Sequence, residues 1–326
     1  MRILVFKILY ILYLHKFYLL FKRKKIITLM FHRINYYNDL LWPALKPSSF
    51  NIFIKLIKKN FEIIPITKIS DYKKIDKNLI IMTFDDGYKD FIEFALPIIK
   101  KYKISANLNI CPNLINEKKI PWTQKLNLLL TKKNIDIYKL FKKYNLTINN
   151  DILNEKEFNN ICNQIHQLDS LNYINFFKDL DKIEINDFKI MLDWNDIKYC
   201  LKNNITIGNH SSNHINLNKL NSQELNNEII ESKIQLEKEL QTKINIFSIP
   251  NGMINNKAQN IILDHYKFIL FSDDDRKLFN KNKNTYELNR INISINNPYE
   301  EFFRAIGFHQ SVKKTLRFFF KLNNES

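Results

Sequence analysis

Short apolar runs alternate with helical patterns along most of the chain, and this alternation constrains the fold more than any other feature of the sequence. Strands separated by helices pair in parallel through right-handed crossovers. The number of such units predicts an α/β barrel, complete or incomplete, rather than a sandwich or a helical bundle. The runs with the length and composition of buried strands are Leu79–Phe84, Leu108–Ile110, Ile205–Ile207, Ile244–Phe247, Phe268–Phe271 and Ile291–Ile293.

The clearest helix lies between the third and fourth of these runs. Ser222 is placed to cap its start, and Glu and Lys occupy the face opposite its apolar residues. The apolar face is marked by Leu225, Ile229, Leu236 and Leu240. The order strand, helix, strand supports the parallel arrangement.

One long segment departs from the alternation. Residues from about 116 to 190 are rich in Asn and Lys and have helical apolar spacing without a convincing strand. No linker rich in Pro or Ser divides the chain, and no internal repeat is visible. We therefore predict a barrel domain at residues 26–310 with a helical insertion at about 116–190. An N-terminal helix at residues 1–25 precedes the domain, and a C-terminal tail at 311–326 follows it.

The composition excludes some classes of protein. Hydrophobic residues make up 45% of the 326 residues, which is incompatible with a disordered chain. The net charge of +17 is scattered rather than grouped, so no nucleic-acid partner is expected. Cys111, Cys162 and Cys200 are far apart and odd in number, which favours a reducing compartment over a disulfide framework.

The first 21 residues are strongly apolar but are interrupted by charged or polar positions. Lys7, His15 and Lys16 break the run, so it is too short for a regular membrane-spanning helix. The run continues into residues 22–25, which are all basic, and it shows no small-residue cleavage site of a secretory signal. Two interpretations remain open: a helix lying on an anionic membrane surface, or a helix packed on the domain.

Glycine is scarce, and three of the four glycines stand beside clusters of polar residues. Gly87 follows Asp85 and Asp86, which end the most apolar strand. In a barrel this end of a strand faces the active site. Two carboxylates held so close require a neutralising cation or a raised pKa, so we predict a metal there. The alternative is an ordinary acidic turn.

Gly208 precedes a pair of histidines spaced four residues apart. His210 and His214 can converge on one cation if the segment turns helically. With Asp86 they form a set of two His and one carboxylate, which leaves coordination positions open for water and substrate. Non-haem iron oxygenases use a similar set, but the α/β pattern argues against that class.

Together these motifs resemble the polysaccharide deacetylase family, which is carbohydrate esterase family four, also called the chitooligosaccharide deacetylase homology domain. The resemblance rests on Thr-Phe-Asp-Asp-Gly at 83–87 and His-Ser-x-x-His at 210–214. Supporting segments are 31–33, 192–194, 247–252 and 289–291, so the resemblance extends over roughly residues 26–293. It implies a distorted (β/α) barrel, Asp85 as general base, and Asp86, His210 and His214 as ligands of a divalent metal, usually zinc. It also implies an N-acetylated sugar as substrate.

The sequence departs from the family pattern at two places. Ser248 stands where the family usually has an Arg that orients the catalytic Asp, and we predict that Arg290 replaces it from the start of a later strand. The motif that supplies the general acid is unclear, since 263–265 and 308–309 match it poorly. His32, at the end of the first strand, is the alternative acid or a substrate contact. A backbone N–H near Asn251 is the candidate second donor to the oxyanion.

These residues lead to one hypothesis and its rivals. The hypothesis is metal-dependent hydrolysis of the N-acetyl amide of an amino sugar, in a bacterial surface polysaccharide or its precursor, on the cytoplasmic side of the membrane. One rival is a catalytically inactive sugar-binding homologue. The other is a deformylase that acts on a lipid-linked amino sugar.

Overall fold

Seven parallel strands close into a barrel in the computed structural model of the protein. The structure describes residues 2–22, 24–37, 41, 43–72, 74–115, 119–149, 153–185, 190–272, 281–282 and 285–310. The barrel strands are β1 (Ile26–Phe31), β3 (Leu79–Phe84), β4 (Ala106–Ile110), β5 (Ile205–Asn209), β6 (Ile246–Ser248), β7 (Phe268–Phe271) and β9 (Thr285–Asn292). They pair in this order, and pairing between β1 and β9 closes the ring. The predicted fold class is confirmed, and the barrel is closed.

Two short strands flank the ring. β2 (Glu62–Ile63) pairs in parallel with β3, and β8 (Lys281–Asn282) pairs antiparallel with β9. The predicted run at 291–293 covers only the end of β9, which begins at Thr285. The run at 244–247 likewise starts before β6, which begins at Ile246.

Alternation along the strands separates an outer and an inner apolar layer. On β3, Ile80 and Met82 belong to the main core between strands and helices, whereas Leu79 and Ile81 belong to a second cluster with Tyr286 of β9. Because alternate residues of a strand share one face, the positions that continue this second face are Thr83 and Asp85. The inner face is thus apolar at one end of the barrel and polar at the other.

The helices outside the ring follow the strands in sequence. They are α3 (Pro47–Asn60), α4 (Leu96–Tyr102), α9 (Trp194–Lys202), α10 (Ser222–Asn226), α11 (Ser232–Leu240), α12 (Asn256–His265) and α13 (Pro298–Ala305). Asp193 caps α9 through a reciprocal pair of hydrogen bonds with Asp196. Each crossover returns the chain to the same end of the barrel, so all barrel strands point in one direction.

The helix predicted between the third and fourth runs is present, with two differences. Its N-cap is Asn221 rather than Ser222, and the Asn221 side chain accepts hydrogen bonds from the N–H groups of Gln223 and Glu224. A π-helical turn at Asn227–Glu231 joins α10 to α11. The predicted apolar face is buried, as Leu225 and Ile229 show.

The segment between β4 and β5 contains four helices with a core of their own. They are α5 (Trp122–Thr131), α6 (Ile135–Lys143), α7 (Glu155–Gln167) and α8 (Ser170–Lys182). Their buried residues form a cluster distinct from the main core, and Ile174 and Ile215 pack against both. These helices fall within the segment that the sequence indicates as a helical insertion.

Two short helices precede the barrel and pack on α13. They are α1 (Arg2–Ile11) and α2 (Leu14–Leu20). His15 is buried, lies stacked on Tyr10 at 4.3 Å between ring centroids, and contacts Phe302 of α13. The opposite surface is apolar and exposed at Ile3, Leu4, Val5, Ile8, Ile11, Leu12, Leu14, Phe17, Leu20 and Phe21. The tail predicted at residues 311–326 lies outside the described residues.

Within the described residues no single helix is both long and apolar enough to cross a membrane. The pair Ile3–Ile11 and Leu14–Leu20, bent by 63°, passes the same test of length and composition when it is taken together.

Candidate metal and catalytic site

The predicted motif residues meet at the carboxyl ends of the barrel strands. Asp85 and Asp86 follow β3, and His210 follows β5. The Asp85 N–H donates to the carbonyl of Phe31 in β1, and the His210 N–H donates to the carbonyl of Ile110 in β4. Hydrogen bonds to the neighbouring strands therefore extend the barrel register into both motifs and fix where their side chains start.

Asp86, His210 and His214 form a compact set of metal-ligand types. One ligand atom from each residue lies within 4.8 Å of the others, and all three side chains are buried. Asp86 Oδ1 lies 3.4 Å from His210 Nε2 and 3.3 Å from His214 Nε2. The same Oδ1 has no hydrogen-bond partner among the described residues. A buried carboxylate oxygen costs free energy when it is left unpaired, so a cation beside it would remove this cost.

The tautomer of His210 also fits a metal. Its Nδ1 lies 2.8 Å from the carbonyl oxygen of Ser248, which can only accept, so Nδ1 carries the hydrogen. In the neutral ring Nε2 then carries the free lone pair, and it lies 3.4 Å from Asp86 Oδ1. Such a bond to the second ring nitrogen is the usual way in which a ligating histidine is oriented.

The histidines converge by a different route from the one predicted. Residues 210–214 do not form a helical turn; they form a loop in which Ser211 and His214 have positive φ values of 63° and 57°. Asp86 is also left-handed, with φ of 76°. The two histidines, four residues apart, are therefore brought together by two left-handed residues rather than by one turn of helix.

Charges within the site set the protonation states. Burial raises the pKa of Asp86, but the neighbouring imidazoles, His214 first and then His210, outweigh this effect, so the pKa of Asp86 lies below its usual value. Burial lowers the pKa of His214 to about 4, against the opposing effect of Asp86. His214 is therefore neutral at physiological pH and can donate a lone pair, as a metal ligand must.

Asp85 accepts hydrogen bonds at both carboxylate oxygens. Arg290 donates from Nη1 to Oδ1 at 2.8 Å, and its Nη2 lies 2.7 Å from Oδ2. Asn109 Nδ2 donates to Oδ1 at 2.7 Å, and the Ser248 hydroxyl donates to Oδ2 at 3.1 Å. Burial raises the pKa of Asp85, but the Arg290 guanidinium, followed by His210, holds it well below the usual range. The carboxylate is therefore ionised and fixed in orientation.

The predicted contact between Arg290 and Asp85 is present, although Arg290 lies near the end of β9 rather than at the start of a strand. It is 1% exposed. Its remaining donors reach the carbonyl of Phe271 at 3.1 Å, the hydroxyl of Thr83 at 3.2 Å and the hydroxyl of Ser248 at 2.9 Å. Ser248, at the position of the family's usual Arg, therefore bonds to both members of the pair.

His32 follows β1 and Asn251 follows β6, so both positions lie at the carboxyl end of the barrel, as do the two aspartates. His32 contributes to the lowered pKa values of Asp85 and Asp86, although other groups dominate both shifts, so it lies within electrostatic reach of both carboxyls. Asn251 is in the left-handed region with φ of 57°, and its side-chain Nδ2 is buried with no hydrogen-bond partner among the described residues. The orphan donor here is thus a side-chain amide, whereas the sequence suggests a backbone N–H.

The two weak matches for a general-acid histidine lie elsewhere. His265 ends α12, and its Nδ1 lies 2.8 Å from the carbonyl of Ile261 on the same helix. His309 stacks on Phe6 of α1 at 5.2 Å. Neither is among the residues around the two aspartates.

Asn109 is a site residue that the sequence does not reveal. It sits inside an apolar run, where no motif marks it, and its bond to Asp85 depends on Gly208 of the neighbouring strand. A Cβ at Gly208 would lie 2.1 Å from Asn109 Oδ1 and 3.0 Å from Cγ2 of Ile246. Gly208 therefore makes room for a side chain that orients Asp85.

Comparisons with known proteins agree with this geometry. The matching family model, described as polysaccharide deacetylase, covers residues 72–266, which is more than half of the chain. A comparison with curated proteins gives no match.

Solved structures show the same barrel. The polysaccharide deacetylase BC0361 from Bacillus cereus has a TM-score of 0.58 and 17% identity, over 87% of this chain and 69% of that one. The deacetylase PplD from Streptococcus pyogenes, in complex with acetate, has a TM-score of 0.56 and 18% identity, over 87% of this chain and 99% of that one. IcaB from Ammonifex degensii has a TM-score of 0.56 and 12% identity, over 87% of this chain and 98% of that one. At such identities these similarities establish the fold alone. With the match of the family model, the chain belongs to the polysaccharide deacetylase family, a family of hydrolases that act on carbohydrates.

Proposed function

We propose that the protein hydrolyses the N-acetyl amide of an amino sugar in a metal-dependent reaction, within a bacterial surface polysaccharide or its precursor. The observation that carries the proposal is the pairing of two different carboxylates at one strand end. Asp86 has an unpartnered oxygen facing two imidazoles, whereas Asp85 is held by Arg290. One is suited to hold a cation and the other to accept a proton.

Asp86, His210 and His214 would hold the metal, which we expect to be zinc because two imidazoles and one carboxylate are common zinc ligands. When bound, such an ion polarises the amide carbonyl and lowers the pKa of a coordinated water. Asp85 accepts the proton of the attacking water, and Arg290 keeps its carboxylate ionised and aimed. A base held in a fixed orientation avoids the loss in rate that follows from a misplaced group.

Attack on the amide carbon gives a tetrahedral oxyanion, which needs a hydrogen-bond donor. The unpartnered Nδ2 of Asn251 is suited to that role. The departing amine nitrogen must take up a proton, and we assign His32, which follows β1 at the same end of the barrel, as the donor of that proton. The deformylase alternative uses the same steps on a smaller acyl group.

The test is acetate release from a panel of N-acetylated nucleotide sugars, lipid-linked sugars and oligosaccharides. The full chain should release acetate from at least one class of substrate. The Asp85→Asn variant should release acetate at a rate lower by about 100-fold or more. Release of formate from an N-formylated sugar alone would favour the deformylase. Sugar binding without hydrolysis would favour the inactive homologue.

We also propose a place of action, the cytoplasmic face of a membrane, with α1 and α2 as the contact surface. The supporting observations are the exposed apolar face of these helices, the basic residues among and after them, and the free cysteines. An apolar face next to cationic residues suits an anionic lipid surface.

The full chain should sediment with vesicles that contain anionic phospholipid. Because α1 and α2 also pack on α13, the test variant keeps both helices and changes only exposed positions, as Phe17→Glu with Leu20→Glu. This variant should stay in the supernatant. Equal sedimentation of both proteins, or of neither, contradicts the proposed surface.

A further inference from the structure

The loop that carries the two histidines has a conformation that it would not hold alone. Ser211 and His214 are both left-handed, which costs an L-residue roughly 1–2 kcal/mol each. Within the loop, the His214 N–H donates to the hydroxyl of Ser211 at 3.1 Å. One such bond is worth about as much as one left-handed residue costs, so contacts from outside the loop must supply the rest.

Glu228 supplies such contacts from one side. Its side chain is 4% exposed, although a lone buried carboxylate is costly. The Asn213 N–H donates to Oε2 at 3.0 Å, and Asn213 Nδ2 donates to Oε1 at 2.6 Å. The carbonyl of the preceding residue, Asn227, accepts from the hydroxyl of Ser212 at 2.9 Å. Two successive residues therefore hold the middle of the loop.

Both belong to the π-helical turn at Asn227–Glu231. Such turns insert one residue into a helix and are frequent at functional sites. The Ser232 hydroxyl donates to the carbonyl of Glu228 at 2.7 Å and accepts from Asn209 Nδ2 at 2.6 Å. The turn is thus tied to the end of β5, the strand that leads into the loop.

Asn113 holds the loop from the opposite side. Its Nδ2 donates to Asn213 Oδ1 at 3.1 Å, and its N–H donates to the carbonyl of Ser212 at 3.2 Å. The Asn213 amide therefore lies between two partners, with its donor on Glu228 and its acceptor on Asn113. A side chain used at both ends has one orientation only.

We propose that Glu228 is a positioning residue for the metal site, and that it acts through Asn213 to keep His210 and His214 in their ligating arrangement before the metal arrives. The inference rests on the proposed function in so far as the site is taken to hold a metal. Its physical basis is preorganisation, because the two left-handed residues are stabilised by the fold rather than by the metal. Partners that orient ligands in this way typically change metal affinity 10- to 100-fold when they are removed.

The test compares Glu228→Ala with Glu301→Ala in the full chain. Glu301 is a matched control, since it is a buried carboxylate that accepts from two backbone N–H groups, at Ser294 and Ile295, and contacts none of the proposed ligands. Zinc affinity of the metal-free protein is measured by competition with a chromophoric chelator. Hydrogen exchange is followed in peptides covering residues 209–216.

Glu228→Ala should weaken zinc binding tenfold or more and speed exchange in residues 209–216. Glu228→Gln, which can still accept from the Asn213 N–H, should be intermediate. Glu301→Ala should lower the melting temperature yet leave zinc affinity within twofold of wild type. If Glu228→Ala does not fold, Asn213→Ala removes the side-chain bonds to Glu228 and from Asn113 but keeps the backbone bond to Glu228, and it should reproduce part of the loss.

Unchanged zinc affinity and exchange in Glu228→Ala would overturn the inference. Equal losses in Glu228→Ala and Glu301→Ala would also overturn it, because they would indicate general destabilisation. Failure of the wild-type chain to bind zinc would instead refute the proposed metal site, and exchange in residues 209–216 would still decide whether Glu228 holds the loop.

Discussion

Replacing Arg290 by Lys keeps the charge beside Asp85 but removes the planar fork. Arg290 bonds to both Asp85 oxygens, to Thr83, to Ser248 and to the carbonyl of Phe271. A Lys ammonium has three donors at a single point, so it cannot serve all of these acceptors. We therefore expect Asp85 to stay ionised and to lose its fixed orientation.

The size of the effect follows from this geometry. A shift of about 1 Å in a catalytic group can cost 100-fold in rate, so kcat should fall by about tenfold to 100-fold. Each acceptor left without a partner costs about 1–3 kcal/mol, so the free energy of unfolding should fall by a similar amount. Removal of the whole side chain in Arg290→Ala leaves a buried charge unpaired and should cost about 3–5 kcal/mol.

The assay is kcat for acetate release on the best substrate of the panel, with zinc content and the melting temperature measured on the same samples. Arg304→Lys is the control, since Arg304 pairs with the buried Glu301 on α13 and touches none of the site residues described. Zinc content should be unchanged in both variants. A kcat for Arg290→Lys within twofold of wild type would refute the assigned role of Arg290.

Three further predictions concern the two aspartates, Gly208 and the helical insertion. Asp85→Asn should keep zinc and lose turnover, whereas Asp86→Asn should lose much of both. Zinc content and acetate release are measured on each variant, and activity within a few fold of wild type in both variants would contradict the mechanism. Gly208→Ala should lower kcat and the free energy of unfolding, because the new methyl group displaces Asn109. Measured by chemical unfolding, the same substitution should lower the free energy of unfolding by less in an Asn109→Ala background. Equal losses in the two backgrounds would contradict this explanation. Burial lowers the pKa of His166 to about 4, below its value near 6.5 in the unfolded chain, so protonation favours unfolding. Stability should therefore fall by about 2 kcal/mol between pH 7 and 4.5. This part of the fall should be missing in His166→Gln, and identical pH profiles would contradict the assignment.

The sequence predicts those residues of the site that belong to a recognisable motif or follow directly after a strand. Asp85, Asp86, His210 and His214 are visible because acidic and imidazole groups follow apolar runs at fixed spacing. The contact of Arg290 could be predicted because an ionised base needs a planar cation and few arginines are available. The barrel follows from the order of strands and helices, in which consecutive units have only one way to pack.

Other parts depend on backbone geometry that spacing does not encode. Helical spacing places Ile229 on the apolar face and its neighbour Glu228 with the polar residues, but the π turn changes the register and buries both. Asn221 and Ser222 are both good caps, so pattern alone cannot choose between adjacent positions. The left-handed conformation of His214 arises from contacts of the loop with distant residues, which no local pattern contains.

In the proposed mechanism, Asp86, His210 and His214 hold a metal on which turnover depends. The most direct measurement is elemental analysis of protein purified without chelator, paired with acetate release before and after metal removal. We expect about one zinc per chain, loss of activity on its removal, recovery when zinc is returned, and no bound metal in a His210→Ala, His214→Ala double variant. Metal retained by that double variant, or full activity without metal, would contradict this mechanism.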